Sequence, residues 1–155
     1  MILRIMFVCH GNICRSPMAE FIMKKLVQEI HAESEFTIAS SATSTEEIGN
    51  PVYPPAKREL ARHGISCDGK YAVQLKKSDY DKYDLFLVMD EHNAFNICRI
   101  FPSDPEHKVH KLLEYAGRSG NVADPWYTGD FEKAYQDIYE GCSGLLNEIR
   151  KGNLS

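Results

Sequence analysis

The apolar positions of this chain fall into short unbroken runs, separated by stretches in which they recur every three or four residues. Leu3 to Val8 is a run of strand-favouring residues. From Pro17 to Ile30 the apolar positions Met18, Phe21, Ile22, Leu26 and Ile30 recur at helical spacing. Phe36 to Ala39 predicts a second strand, and the polar stretch through Ser44, Glu46 and Gly49 predicts an exposed loop. Pro54 and Pro55 open a helix that His63 and Gly64 close, because proline's fixed φ suits the first turn and glycine suits the residue just past the end. Tyr83 to Met89 reads as the clearest buried strand. Asp90 then stands at a helix start, Ala94, Ile97 and Ile100 continue the period, and Pro102 stops it. Val109 to Leu113 predicts a weaker fourth strand. After the loop Asp124-Pro125-Trp126-Tyr127, a long amphipathic helix from Phe131 to Ile149 carries Ala134, Tyr135, Ile138, Leu145 and Leu146 on its apolar face.

Strands alternating with helices predict an α/β fold: a single domain over residues 1–155, with a four-stranded, mainly parallel sheet and helices on both faces. No internal repeat or low-complexity segment interrupts it. In such sheets ligands sit beyond the carboxyl ends of the strands. That rule places the loop after the first strand, beginning at Cys9, and the loop holding Asp124 on one rim.

Composition narrows the function classes. A net charge of -4 gives no basic surface of the kind nucleic acid requires. No apolar run reaches the length of a membrane span, and Ile2 to Val8 contains Arg4 and lacks a small-residue cleavage site, so neither a membrane anchor nor a signal peptide is expected. The five cysteines, Cys9, Cys14, Cys67, Cys98 and Cys142, are odd in number and scattered, which fits a reducing cytoplasm better than a disulfide framework. None forms a C-x-x-C pair, and His107 and His110 have no cysteine companions, so no metal site is expected.

The chemistry concentrates in Val8-Cys9-His10-Gly11-Asn12-Ile13-Cys14-Arg15-Ser16-Pro17. A cysteine ends a strand, an arginine opens a helix, and the five residues between them are enough to curl around one phosphate. Backbone N–H groups of the loop and of the new helix form an anion nest, which Gly11 lets the ligand approach closely. The Arg15 guanidinium adds a planar fork for two phosphoryl oxygens, and this positive field favours the thiolate form of Cys9, the reactive nucleophile. Phosphoryl transfer spreads charge over equatorial oxygens, so positioned amides and Arg15 meet its demands with no metal and no cofactor. Ser16 is placed to donate to the Cys9 sulfur, and Asn12 is a residue that tolerates a left-handed backbone.

Val8 through Glu20, reading VCHGNICRSPMAE, resembles the active-site signature of low-molecular-weight protein tyrosine phosphatases. The resemblance runs along nearly the whole chain through Ile38-Ala39-Ser40-Ser41, His63-Gly64-Ile65, Val88-Met89-Asp90-Glu91 and Ala123-Asp124-Pro125-Trp126-Tyr127. It implies a phosphotyrosine hydrolase that works through a phosphocysteine on Cys9, with Arg15 binding phosphate. Asp124 would be the general acid that protonates the leaving phenolate. By the same resemblance His10, Gly11, Asn12, Ile13, Cys14 and Ser16 form the substrate-binding loop, and Ser40 supports Asn12 by hydrogen bonding. Trp126 and Tyr127 are expected to wall the pocket and stack on the substrate ring, with core packing of one of them as the alternative. The implied partners are phosphotyrosine-containing proteins, with a tyrosine kinase of the same cell as a candidate, and the chain would be a monomer or weak dimer.

Several positions depart from the pattern. Where bacterial relatives commonly read Gly-His-x-Ala-Arg-Gln-Leu, this chain reads Gly69-Lys70-Tyr71-Ala72-Val73-Gln74-Leu75, so support of the loop would be reorganised. Thr45, Glu46 and Glu47 stand where an aromatic wall is often found, either as a solvated acidic pair or as a determinant of substrate choice. Ile13 occupies the position where threonine marks relatives acting on phosphoarginine, which points to phosphotyrosine. Cys14 is either a small packed residue or a redox partner of Cys9. Two rivals use a similar loop: a thiol-dependent arsenate reductase, which needs further exchange-competent cysteines, and a catalytically dead phosphoprotein-binding module. Cys98 and Cys142 lie on predicted helices, where burial is expected for cysteine.

Overall fold

The structure, a computed structural model, describes residues 2–152. Its elements are β1 (Leu3–Cys9), α1 (Arg15–Glu29), β2 (Phe36–Ala42), α2 (Pro54–Arg62), β3 (Leu85–Val88), α3 (Glu91–Ile100), β4 (Val109–Lys111), α4 (Pro125–Thr128) and α5 (Phe131–Arg150). The four strands form one sheet in the order β2-β1-β3-β4, and all their pairings are parallel. The expected α/β architecture is the observed one.

β1 is central because it is hydrogen-bonded on both sides: Val8 lies opposite Ser41 of β2 and Val88 of β3. Its side chains alternate between two separate cores. Ile5, Phe7 and Cys9 join Met18 and Ile22 of α1, Leu60 of α2 and Ile138 and Leu145 of α5. Met6 and Val8 face the other way, onto Phe86, Val88, Ile97 and Phe101. Both faces are covered, so the strand reads as a continuous apolar run instead of an alternating one. Each fully buried side chain of this kind contributes roughly 1.5–3 kcal/mol relative to exposure.

Some boundaries differ from the sequence expectation for local reasons. β2 extends past Ala39 through Ser40, Ser41 and Ala42, which pair with Phe7, Val8 and Cys9. Serine carries little strand signal, but a buried central strand supplies the missing partner. β3 begins at Leu85, not Tyr83, because Asp84 turns its carboxylate onto the backbone N–H of Arg4 at 2.8 Å and onto its guanidinium at 3.0 Å. β4 stops at Lys111, and Leu112 and Leu113 belong to a 3-10 turn spanning Leu112–Ala116. They are buried beneath α5. The expectation that Cys98 is buried fails. Ile97 takes the buried position on α3, and Cys98, about 100° further round the helix, faces solvent. Cys142 is fully buried.

Among the described residues no helix is long and apolar enough to cross a membrane. The sheet order reverses between β1 and β3, and this switch point gathers the loop after Cys9, the start of α3 at Asp90 and the segment around Val122 and Asp124.

Candidate active site

β1 carries Cys9 to the carboxyl edge of the sheet, where its side chain is 3% exposed. Residues 10–14 then bend back so that α1 starts at Arg15, two residues before the apolar period begins at Pro17 and where the arginine was expected to open the helix. No side chain caps this helix, so its first N–H groups point into the loop. The N–H of Ser16 lies 3.4 Å from the Cys9 sulfur, and the Ser16 hydroxyl lies 3.0 Å from it.

The bend is made by Asn12, whose φ of 59° is left-handed. Its side chain ties three other segments together. Asn12 Oδ1 accepts from the backbone N–H of Val73 at 3.1 Å, while Nδ2 donates to Ser16 Oγ at 2.7 Å and to Ser40 Oγ at 3.0 Å. Because an amide nitrogen only donates, both hydroxyls accept from Asn12 and keep their own protons to give elsewhere. Ser40 gives its proton to Glu20 Oε1 at 2.6 Å. Ser16 is left to donate to the Cys9 sulfur. The departures at Lys70 and Val73 thus have a structural answer: Val73 serves through its backbone, and Lys70 Nζ donates to the Ser40 carbonyl at 2.9 Å.

Arg15 is 2% exposed and is aimed by Nη1, which donates to Asp90 Oδ2 at 2.7 Å and to the Val122 carbonyl at 2.8 Å. Its Nη2 reaches Asp124 Oδ2 at 3.4 Å. Burial opposes the guanidinium charge, but Cys9, Asp90 and Asp124 together outweigh it and raise the pKa above the ordinary value. Asp90 has two tasks. Its Oδ1 accepts from Asn93 N–H at 2.7 Å and caps α3, which is the only role the sequence reading gave it. Its hold on Arg15 joins residues 75 apart, and no local pattern signals such a pairing.

Asp124 caps α4 through Oδ1, which accepts from Trp126 N–H at 3.1 Å, so the expected loop here contains a single helical turn. One pocket is lined by Cys9, His10, Gly11, Ile13, Cys14, Arg15, Asp124, Trp126 and Tyr127, with Glu46 and Glu47 at the same opening. Trp126 is 51% exposed and lies against Tyr53, with ring centroids 4.8 Å apart, while Tyr127 is 84% exposed. Both aromatics therefore belong to the rim and neither to the core. His10 Nε2 meets Glu46 Oε2 at 2.6 Å, and Ser44 donates to the His10 carbonyl, fastening the acidic loop to the cysteine loop. The Cys14 thiol is pushed well up by burial, and further by Cys9 and Asp124.

The family model described as low molecular weight phosphotyrosine protein phosphatase matches residues 4–154. The chain belongs to this family. Among its relatives, the low molecular weight protein-tyrosine-phosphatase YfkJ of Bacillus subtilis is 38% identical over 95% of this chain and 96% of its own. The crystal structure of YfkJ superposes with a TM-score of 0.94, at 36% identity, over 98% of this chain and 97% of that one. The low molecular weight phosphotyrosine protein phosphatase of Gallus gallus is 37% identical over 89% of this chain and 87% of its own. Wzb of Vibrio vulnificus, solved in complex with benzylphosphonate, gives a TM-score of 0.83 at 27% identity, over 96% of this chain and 99% of that one.

Within this phosphatase, Asp90 offers a test of how Arg15 is aimed. Asp90→Asn keeps an N-cap but removes the charge that faces the guanidinium, so kcat/KM should fall by about tenfold or more with little loss of thermal stability. Asp90→Ala should lose both. A kcat/KM for Asp90→Asn equal to wild type, measured with p-nitrophenyl phosphate, would mean that Val122 and the loop alone orient Arg15.

Proposed function

We propose that this enzyme hydrolyses phosphotyrosine, in proteins and in small aryl phosphates, through a phosphocysteine intermediate on Cys9. The observation that carries the reading is the shared pocket: Cys9 at its floor, Arg15 held behind it and Asp124 at its side. The Cys9 thiolate attacks phosphorus, the bond from phosphorus to the ester oxygen breaks, and the leaving phenolate takes a proton from Asp124. Water then attacks the phosphocysteine and gives a proton to the Asp124 carboxylate. The sulfur departs as a thiolate stabilised by Ser16. Throughout, Arg15 and the loop N–H groups hold the equatorial oxygens.

The substrate class follows from depth and chemistry. Cys9 is buried, while the aromatic rim of Trp126 and Tyr127 is open. An aryl ester is long enough to reach the sulfur and flat enough to lie against these rings. The benzylphosphonate bound by the Vibrio vulnificus protein has the same shape. Ile13, by its resemblance to the phosphotyrosine-selective pattern, favours this class over phosphoarginine. Arsenate reduction is disfavoured because Cys67 and Cys142 are buried, the burial of each raises its thiol pKa, and the exposed Cys98 does not line the pocket that holds Cys9. Phosphotyrosine proteins of the cytoplasm, and the tyrosine kinase that makes them, are the partners this reading assigns.

Cys14 gives the same site a protective chemistry. Peroxide converts the Cys9 thiolate to a sulfenic acid, and the Cys14 sulfur then displaces water from it to form a disulfide. The Cys9 charge that helps to raise the Cys14 thiol pKa disappears at the first step, which eases the second.

Two measurements test these assignments. Asp124→Asn should slow phenyl phosphate far more than an ester with an acidic phenol, because only a poor leaving group needs the proton. Equal losses across a leaving-group series would remove Asp124 from the role of acid. After mild peroxide, peptide mapping should find a Cys9–Cys14 disulfide, with activity restored by thiol. Sulfinic or sulfonic Cys9 as the main product would rule the protective reaction out.

A further inference from the structure

The hydrogen-bond chain behind the nucleophile does not end at Ser40. Ser40 donates to Glu20, a carboxylate only 5% exposed, and two lysines approach that group from different sides. Lys24 Nζ lies 2.5 Å from Glu20 Oε2, but its side chain is 44% exposed and its charge is screened by water. Lys70 is different. Its side chain is 12% exposed, and its Nζ lies 3.6 Å from Glu20 Oε1 and 2.9 Å from the Ser40 carbonyl. Lys70 therefore holds Ser40 twice, directly at the main chain and through Glu20 at the hydroxyl.

Every link from there to the sulfur has a fixed direction. Ser40 donates to Glu20, Asn12 donates to Ser40 and to Ser16, and Ser16 is left to donate to Cys9. Burial lowers the Lys70 pKa and Glu20 pulls it the other way, so the cation faces the carboxylate it neutralises. Without that cation the Glu20 carboxylate would face the loop half-compensated, putting negative potential behind a thiolate that needs the opposite.

We propose that Lys70 is a positioning residue for Cys9: by pinning Ser40 and neutralising the buried Glu20, it keeps Asn12 and Ser16 aligned on the thiolate. The proposal rests on Cys9 being the nucleophile, but it concerns the state of the sulfur and is read without turnover. The rate of iodoacetamide capture at Cys9, followed by mass mapping across a pH series, reports the thiolate fraction. In Lys70→Met this titration should move to higher pH, and kcat/KM for p-nitrophenyl phosphate should fall by about tenfold. Lys70→Arg should recover most of both. Lys57→Met removes an exposed lysine that pairs with Asp68, and should change neither.

Lys70→Gln keeps an N–H donor but no charge, and carries the same test if the methionine variant does not fold. A Cys9 titration that stays in place in the uncharged variants overturns the proposal, even if their melting temperatures drop, since Lys70 would then be structural only. A shifted titration in a protein that hydrolyses no aryl phosphate would leave Lys70 in its role and remove the phosphatase reading instead.

Discussion

The site depends on one side-chain amide. Asn12 sits in a left-handed turn, which costs a non-glycine residue roughly 1–2 kcal/mol. It offsets that cost with three hydrogen bonds, each contributing about 1 kcal/mol. Those three bonds reach the segment at Val73, the end of β2 at Ser40 and the first turn of α1 at Ser16. The loop therefore keeps its curvature before any anion arrives, and the N–H groups need not be reorganised when charge develops on phosphorus.

Around this amide, charges are arranged so that none is buried alone. Arg15 faces Asp90 and, more distantly, Asp124; Glu20 faces Lys24 and Lys70. The pairing at 2.7 Å with Asp90 is the strong one, and the 3.4 Å approach to Asp124 is weak enough for a phosphoryl oxygen to displace. In the proposed mechanism, that displacement would free Asp124 to face the ester oxygen. Asp90 and Asp124 each cap a helix with one oxygen and face the guanidinium with the other, so one carboxylate serves a helix end and Arg15 at once.

Much of this was legible in the sequence, and the reason is physical. β1 is buried on both faces and reads as an apolar run; α5 buries one stripe and reads as a helical period, while α1 is buried all round its first turns, polar residues included. The loop from Cys9 to Arg15 was legible because all its chemistry lies within a few consecutive residues. What stayed hidden depends on contacts between distant residues: Asp90 with Arg15, Lys70 with Ser40 and Glu20, Val73 N–H with Asn12. The serines that end β2 look like loop residues until β1 supplies their partners. Cys98 shows the converse error, because a residue type's preference for burial does not decide which side of a helix it occupies.

The central claim is that phosphate passes through the Cys9 sulfur. Rapid mixing with p-nitrophenyl phosphate in metal-free buffer, acid quench and mass mapping of the Cys9 peptide test it directly. The account predicts a burst of p-nitrophenol matched by phosphoryl transfer to Cys9, and no transfer in Cys9→Ser. Steady phosphate release with no burst and an unmodified Cys9 peptide would contradict it.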